Sequence, residues 1–108
     1  MKLLFVCTGN LCRSTSAEYL FKHLLAERLH VGVEALPSRG WIIQSAGTMA
    51  YRGQDLPEGV RRALASLGVR PPVHASQPVT ESLVRAADLV LCAAGEHRAA
   101  VVGTWPWA

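Results

Sequence analysis

Between Val6 and Ser14 the chain stops being strand-like and has not yet become helical, and that junction limits the fold more than any other stretch. Lys2-Leu3-Leu4-Phe5-Val6 is a short apolar run that reads as a buried strand. Ser14 to His30 reads as a helix. Between them stand Cys7-Thr8-Gly9-Asn10-Leu11-Cys12-Arg13, a thiol and a guanidinium separated by five residues. A loop at such a junction turns its backbone N–H groups toward one point, where the helix dipole favours negative charge. Gly9 permits close backbone approach, and Asn10 tolerates the left-handed region. Arg13 can grip an oxyanion through two parallel hydrogen bonds. A thiol at Cys7, aimed into that field, should ionise below its ordinary range. Cys7 alone would read as a buried cysteine in a tight turn. The full spacing reads as an anion cradle with a nucleophile at its base.

A chain of 108 residues is one domain with a modest core. Half the residues are apolar and 18% are charged, a globular composition. A net charge of +3 without a basic run gives no nucleic-acid footprint, and Arg61-Arg62 reads as a solvated pair. The apolar run after Lys2 is too short for a secretory core, and no stretch reaches transmembrane length. The expected location is therefore the cytoplasm, with no membrane partner. Three cysteines fit reactive or buried thiols better than a disulfide framework, and they lack zinc-ligand spacing. No metal and no cofactor are expected.

Along the chain, Thr15-Ser16-Ala17-Glu18 fits a capping box at the start of the first helix. Ala17, Leu20, Phe21, Leu24, Leu25 and Leu29 give its apolar face. Val31 to Gly40 reads as a loop and Trp41 to Ser45 as a strand. Ala46-Gly47-Thr48 opens a loop to about Leu56. Pro57 starts a second helix that Gly68 ends. Thr80 caps a short helix through Ala87, Asp88 to Cys92 forms a third strand, and Gly95 to Val102 begins another helix. Strands alternating with helices predict an α/β fold, an open parallel sheet with helices on both faces. Ligands bind such sheets beyond the carboxyl ends of the strands, where Cys7 lies.

Val6-Cys7-Thr8-Gly9-Asn10-Leu11-Cys12-Arg13-Ser14-Thr15 closely resembles the V-C-x-G-N-x-C-R-S-P loop of the low-molecular-weight protein tyrosine phosphatases, with Thr15 in place of the proline. Ser45-Ala46-Gly47-Thr48 is similar to the S-A-G-T segment of that family. So are His74-x-Ser76-Gln77-x-Val79-Thr80, which has Gln77 for an arginine, and Ala87-Asp88-Leu89-Val90-Leu91 with Glu96-His97. The resemblance covers residues 2 to 102. It implies the phosphotyrosine phosphatase I-like fold, with flavodoxin-like layering. It also implies hydrolysis of phosphomonoesters, chiefly phosphotyrosine on proteins. Cys7 would attack phosphorus and carry the phosphoryl group. Arg13 and the backbone of Thr8, Gly9, Asn10, Leu11 and Cys12 would bind its oxygens. Ser14 would donate a hydrogen bond to the Cys7 thiolate. Asn10 would hold the loop in shape, with Ser45 and His74 supporting it. Cys12 would either form a protective disulfide with an oxidised Cys7 or serve as a small buried hydrophobe. Cys92 reads as core filler. Leu11 is the phosphotyrosine-type residue, where relatives acting on phosphoarginine carry threonine. Met49, Ala50 and Tyr51 would wall the substrate ring. The implied ligands are a phosphorylated protein, a small aryl phosphate, or inorganic phosphate and sulfate.

The family pattern continues past Ala108 with a further strand, an Asp-Pro loop and a terminal helix. The resemblance therefore implies a single phosphatase-like domain over 1–108, incomplete at its C-terminus and lacking those last elements. The Asp-Pro aspartate is the family's general acid. Asp88 should lie at the far end of the sheet, and Asp55 and Glu96 read as surface charges and weak substitutes. Turnover should be weakened by about 10²–10⁴. The Asp88–Cys92 strand would be an open edge, implying a homodimer, a swapped assembly or low stability, with Trp105 and Trp107 patching apolar surface. The alternatives are a non-enzymatic phosphate-binding module, an arsenate reductase and a phosphoarginine phosphatase.

Overall fold

Alternation along β1 (Lys2–Cys7) decides how the molecule is layered. The computed structural model describes every residue from Met1 to Ala108. Successive side chains on a strand face opposite ways, so Leu3, Phe5 and Cys7 share one face and Leu4 and Val6 the other. β2 (Ile42–Gly47) and β3 (Leu89–Cys92) flank β1 in the order β2-β1-β3, both parallel to it. Register sets Leu3 beside Ile43, Phe5 beside Ser45 and Cys7 beside Gly47.

α1 (Arg13–Leu29) covers the Leu3 face. Leu3, Ile43, Ala26 and Leu36 form a buried cluster there, with Phe5, Phe21, Leu25 and Trp41 packed around it. α3 (Glu81–Ala86) and α4 (Gly95–Thr104) cover the opposite face, where Leu4, Val6 and Ala46 meet Val84 and Val101. Burying an aliphatic side chain of this size contributes about 1.5–3 kcal/mol. α2 (Glu58–Ser66) closes a third cluster, Leu64 and Leu56 against Tyr19 and Val69. The expected doubly covered parallel sheet is the fold observed.

Local signals set several ends. Thr80 accepts a hydrogen bond from the Leu83 N–H at 3.3 Å and starts α3. Gly68, at φ +79, ends α2 while the N–H of Val69 returns to the Leu64 carbonyl. Asp88 lies at the amino end of β3, its carboxylate accepting from the Lys2 N–H at 2.7 Å, at the opposite end of β1 from Cys7. The stretch from Val31 to Gly40 is more ordered than the loop expected. It holds two 3₁₀ turns, Val33–Ala35 and Pro37–Arg39, which bury Leu36 between them.

Two expectations for α1 need correction. The helix begins at Arg13, and Thr15 and Glu18 make no capping box. The Thr15 hydroxyl donates to the Cys12 carbonyl at 3.0 Å, and the Glu18 carboxylate is drawn toward the sheet. The buried face is Ser14, Thr15, Glu18, Tyr19 and Ala26, while Leu24 is 54% exposed. The first turn of α1 packs on the polar loop at the end of the sheet, while further along Phe21, Leu25 and Leu29 of the expected apolar face pack against the Leu3 cluster and Leu20 against the Tyr19 cluster, so of that face Leu24 is the residue that turns to solvent. No helix is long and apolar enough to cross a membrane.

Candidate active site

Cys7 is the last residue of β1 and faces α1, so its thiol meets the first turn of that helix. Ser14, one residue into α1, has its Oγ 3.0 Å from Cys7 Sγ. Asn10 Nδ2 donates to the same Ser14 Oγ at 3.0 Å and to Ser45 Oγ at 2.9 Å. An amide nitrogen only donates. The Ser14 oxygen is therefore an acceptor toward Asn10, and its own hydrogen is free to point at sulfur.

Burial acts to raise the Cys7 thiol. The Ser14 hydroxyl, the Ser14 and Asn10 backbone N–H groups and the Arg13 charge outweigh it, and the net effect holds the thiol below its ordinary range. No backbone N–H from Thr8 to Cys12 is taken by a backbone carbonyl. Arg13 is exposed and pairs with no carboxylate. The arrangement can serve as an anion cradle beside a thiol held below its ordinary range.

Asn10 holds that shape. It is fully buried at φ 56, left-handed backbone for a residue with a side chain. Its Oδ1 accepts from the Gln77 N–H at 2.9 Å. Its carbonyl accepts from His74 Nε2 at 3.1 Å. Nε2 therefore carries the hydrogen, and His74 Nδ1 accepts from the Tyr19 hydroxyl at 2.8 Å. Burial first, and the neighbouring Glu18 charge next, push the Tyr19 phenol far up, so it stays a donor. Ser45 passes its own hydrogen to Glu18 Oε1 at 2.5 Å, and Lys22 closes the chain on Glu18 Oε2 at 2.6 Å. Glu18 lies four residues after Ser14, on the same face of α1, so helical geometry alone brings both to the cradle.

The β2 end supports the loop from outside. The Thr48 N–H donates to the Cys7 carbonyl at 2.8 Å and the Met49 N–H to the Thr8 carbonyl at 2.9 Å. A Cβ on Gly47 would lie 2.9 Å from Asn10 N and collide with the Thr8 carbonyl oxygen. Gly47 is thus a glycine because the cradle backbone passes over it. From the other side, the imidazole of His97 reaches Thr8 Oγ1 at 2.9 Å.

Cys12 is exposed, which rules out its reading as a buried hydrophobe. Cys92 is half-buried in β3, and burial pushes its thiol up, as suits core filler. Leu11 is half-buried, and Met49 and Tyr51 stand 77% and 78% exposed after β2. Asp55 is not a free surface charge. Its Oδ1 accepts from the His74 and Leu56 N–H groups and from Arg61 Nη2, each at 2.8 Å. Those two N–H groups, His74 foremost, and Arg61 hold the carboxyl below the usual carboxylate range, so it is a poor proton donor. Glu96 remains exposed, with Oε1 3.5 Å from His97 Nε2.

Sequence reading found the cysteine loop and missed Glu18, Tyr19, Gly47, Gln77 and His97 as parts of it. Glu18 and Gly47 had a signal, in helical spacing from Ser14 and in strand register with Cys7. Tyr19, Gln77 and His97 join through contacts that no local pattern records.

A comparison with known proteins agrees with this geometry. A protein-arginine-phosphatase of Bacillus subtilis is 40% identical over 99 residues, covering 91% of this chain and 59% of that protein. A low molecular weight protein-tyrosine-phosphatase, Ptp, of Acinetobacter johnsonii is 28% identical over 106 residues, covering 98% of this chain and 66% of that protein. Among solved structures, the C7S mutant of YwlE arginine phosphatase with a phosphorylated active site serine superposes with a TM-score of 0.83. It is 34% identical, covering 99% of this chain and 64% of that one. The chain spans about three fifths of the length of the B. subtilis protein, whose coverage is 59%. The model of the low molecular weight phosphotyrosine protein phosphatases matches residues 2–104, from β1 through α4 with the whole cysteine loop inside it, and the chain belongs to that family.

Proposed function

We propose that the chain hydrolyses phosphomonoesters, with phosphotyrosine on proteins as the leading substrate, and that residues 1–108 belong to a single phosphatase-like domain. The observation that carries this reading is the direction of one hydrogen bond: Asn10 Nδ2 occupies Ser14 Oγ as a donor, leaving the Ser14 hydrogen for Cys7 Sγ. Arg13 and the cradle N–H groups hold the non-bridging oxygens of the phosphoryl group. The Cys7 thiolate attacks phosphorus in line, an S–P bond forms, and the bond to the leaving oxygen breaks. Water then attacks phosphorus, the S–P bond breaks, and the electron pair returns to sulfur, where the Ser14 hydrogen stabilises the thiolate. No cofactor enters this route. The phosphorylated serine in the YwlE mutant named above is the parallel state in a relative.

An aryl oxygen can leave as a phenolate without a placed acid. Asp55 is spent on three donors, so turnover depends on the leaving group. Activated esters should exceed alkyl esters by about 10²–10⁴. Cys12 lies exposed in the same loop, which supports its assignment as the thiol that captures an oxidised Cys7. We also assign the open side of β3 as a homodimer contact. Leu89 and Leu91 are 44% and 37% exposed there, and a second β3 brought up by a two-fold axis would pair both edges.

Hydrolysis of para-nitrophenyl phosphate by the wild type and by Cys7→Ser tests the main reading, with inorganic phosphate binding measured on both. Turnover that depends on Cys7 is the expected result. Phosphate binding with no turnover would leave a phosphate-binding module instead.

A second reading, phosphoarginine as substrate, is favoured by the 40% identity to the B. subtilis protein-arginine-phosphatase. Leu11 speaks for phosphotyrosine, since it presents a bulky aliphatic side chain rather than a hydroxyl. Phosphotyrosine and phosphoarginine peptides compared at equal concentration separate the two.

A further inference from the structure

His97 is buried to 1% exposure although it lies near the start of α4, where side chains usually reach solvent. Both ring nitrogens are committed. Nδ1 accepts from the Ala94 N–H at 3.1 Å, so the ring hydrogen is on Nε2. Nε2 then donates to Thr8 Oγ1 at 2.9 Å, across 89 residues of chain. A backbone N–H thus sets the tautomer, and the tautomer sets the direction of the contact with the residue that follows Cys7.

Thr8 is the even-numbered neighbour of Cys7, so its side chain faces α3 and α4 while the thiol faces α1. Its carbonyl is held by the Met49 N–H at 2.9 Å, and its side chain is held only by His97. With Nε2–H as donor, Thr8 Oγ1 is an acceptor, and the threonine rotamer is fixed from the α4 side. Asn10 fixes the loop from the α1 and β2 side. The cradle is therefore clamped from both faces of the sheet, and the second clamp is a single imidazole.

We propose that His97 is a positioning residue of the cradle, which acts through Thr8 to set the loop's affinity for a phosphoryl group. This rests on the phosphatase reading above. His97 does not touch the reacting atoms. It fixes the first residue of the loop whose N–H groups bind the oxygens, so its loss loosens anion binding and leaves the Ser14–Cys7 contact in place.

Four variants separate this from a role in packing alone. His97→Leu keeps bulk and removes the donor. His97→Gln keeps an amide donor of similar reach. Thr8→Val keeps shape and removes the hydroxyl, and the last variant combines Thr8→Val with His97→Leu. Inorganic phosphate affinity and KM and kcat on para-nitrophenyl phosphate are measured on each, and the long-range ¹H–¹⁵N spectrum of the His97 ring on the wild type and on Thr8→Val. His97→Leu and Thr8→Val should each weaken phosphate binding and raise KM by about five- to tenfold, the range for one hydrogen bond. The double variant should be no worse than the weaker single, and His97→Gln should recover most of the loss. The ring spectrum should show the Nε2–H tautomer, with the Nε2 resonance moved in Thr8→Val.

A second full loss from His97→Leu in the Thr8→Val background would overturn the proposal, because His97 would then act without Thr8. So would an Nδ1–H tautomer, or unchanged phosphate affinity in Thr8→Val. If His97→Leu does not fold, Thr8→Val and the ring spectrum still decide the matter. A wild type that binds no phosphate would instead overturn the phosphatase reading itself.

Discussion

Asn10 Nδ2 lies 3.0 Å from Ser14 Oγ, and because the amide can only donate, it turns the Ser14 hydrogen toward Cys7. The contact converts a serine that could act either way into a one-way donor to the thiolate. Ser14→Ala should therefore move the Cys7 thiol back up toward its ordinary range. Below that range, iodoacetamide labelling of Cys7 should slow by about tenfold at fixed pH, and the labelling curve should shift to higher pH. An unshifted curve would mean that the backbone N–H groups and Arg13 activate the thiol on their own.

Gly47→Ala should be the most damaging small substitution outside the loop. Its new methyl would meet the Thr8 carbonyl and Asn10 N, both backbone atoms that cannot turn aside. Turnover should fall by about a hundredfold, as expected when reacting groups are displaced by about 1 Å. Stability should fall by about 1–3 kcal/mol, the usual range for overpacking. Thermal unfolding and aryl phosphate kinetics on the same sample check both figures.

Asp55→Asn tests a structural carboxylate against a catalytic one. The folded carboxyl is held low, so it contributes stability that is full above its unfolded value and is lost as pH falls through the folded value. The wild type should melt higher than Asp55→Asn near neutrality, and the gap should close in strong acid. The para-nitrophenyl phosphate kcat of the folded variant should stay within about twofold, far short of the about 10²–10⁴ that a general acid supplies. A collapse of kcat with an unchanged melting point would make Asp55 the acid after all.

Leu11→Thr should move preference from phosphotyrosine toward phosphoarginine peptides, changing the ratio of their kcat/KM values by at least about tenfold. If the ratio does not move, the residue between Asn10 and Cys12 is not a selector in this chain.

Leu91→Lys addresses the edge. Sedimentation of the wild type should show a dimer at micromolar concentration, and the lysine should yield a monomer, as charges on edge strands do. An unchanged sedimentation profile would remove β3 from the contact.

The cysteine loop could be read in advance because its chemistry is local. Cys7, Asn10, Arg13 and Ser14 fall within eight consecutive residues at a strand-to-helix junction. The same holds for Thr80, whose cap needs only its own next three residues. Glu18 shows where local reading fails. Its spacing from Thr15 is that of a capping box, yet the carboxylate serves Ser45, 27 residues away. The apolar spacing of α1 places Leu20, Phe21, Leu25 and Leu29 on the core and errs at Leu24, and it gives no sign that Ser14, Thr15 and Glu18 are buried as well. Gln77 and His97 gain their roles only when the chain returns, 67 and 89 residues later, to Asn10 and Thr8. No composition or periodicity carries that distance.

The hydrogen bonds on Asn10 come from α1, from β2 and from the segment between α2 and α3. A nascent chain that has made only β1 and α1 owns the whole cysteine motif but lacks the partners that hold its shape. The groups that lower the thiol are already in that stretch, but Asn10 has no partner yet to fix its left-handed backbone. The fixed shape of the cradle is thus a late property of folding, complete only when β2 and the segment between α2 and α3 have joined.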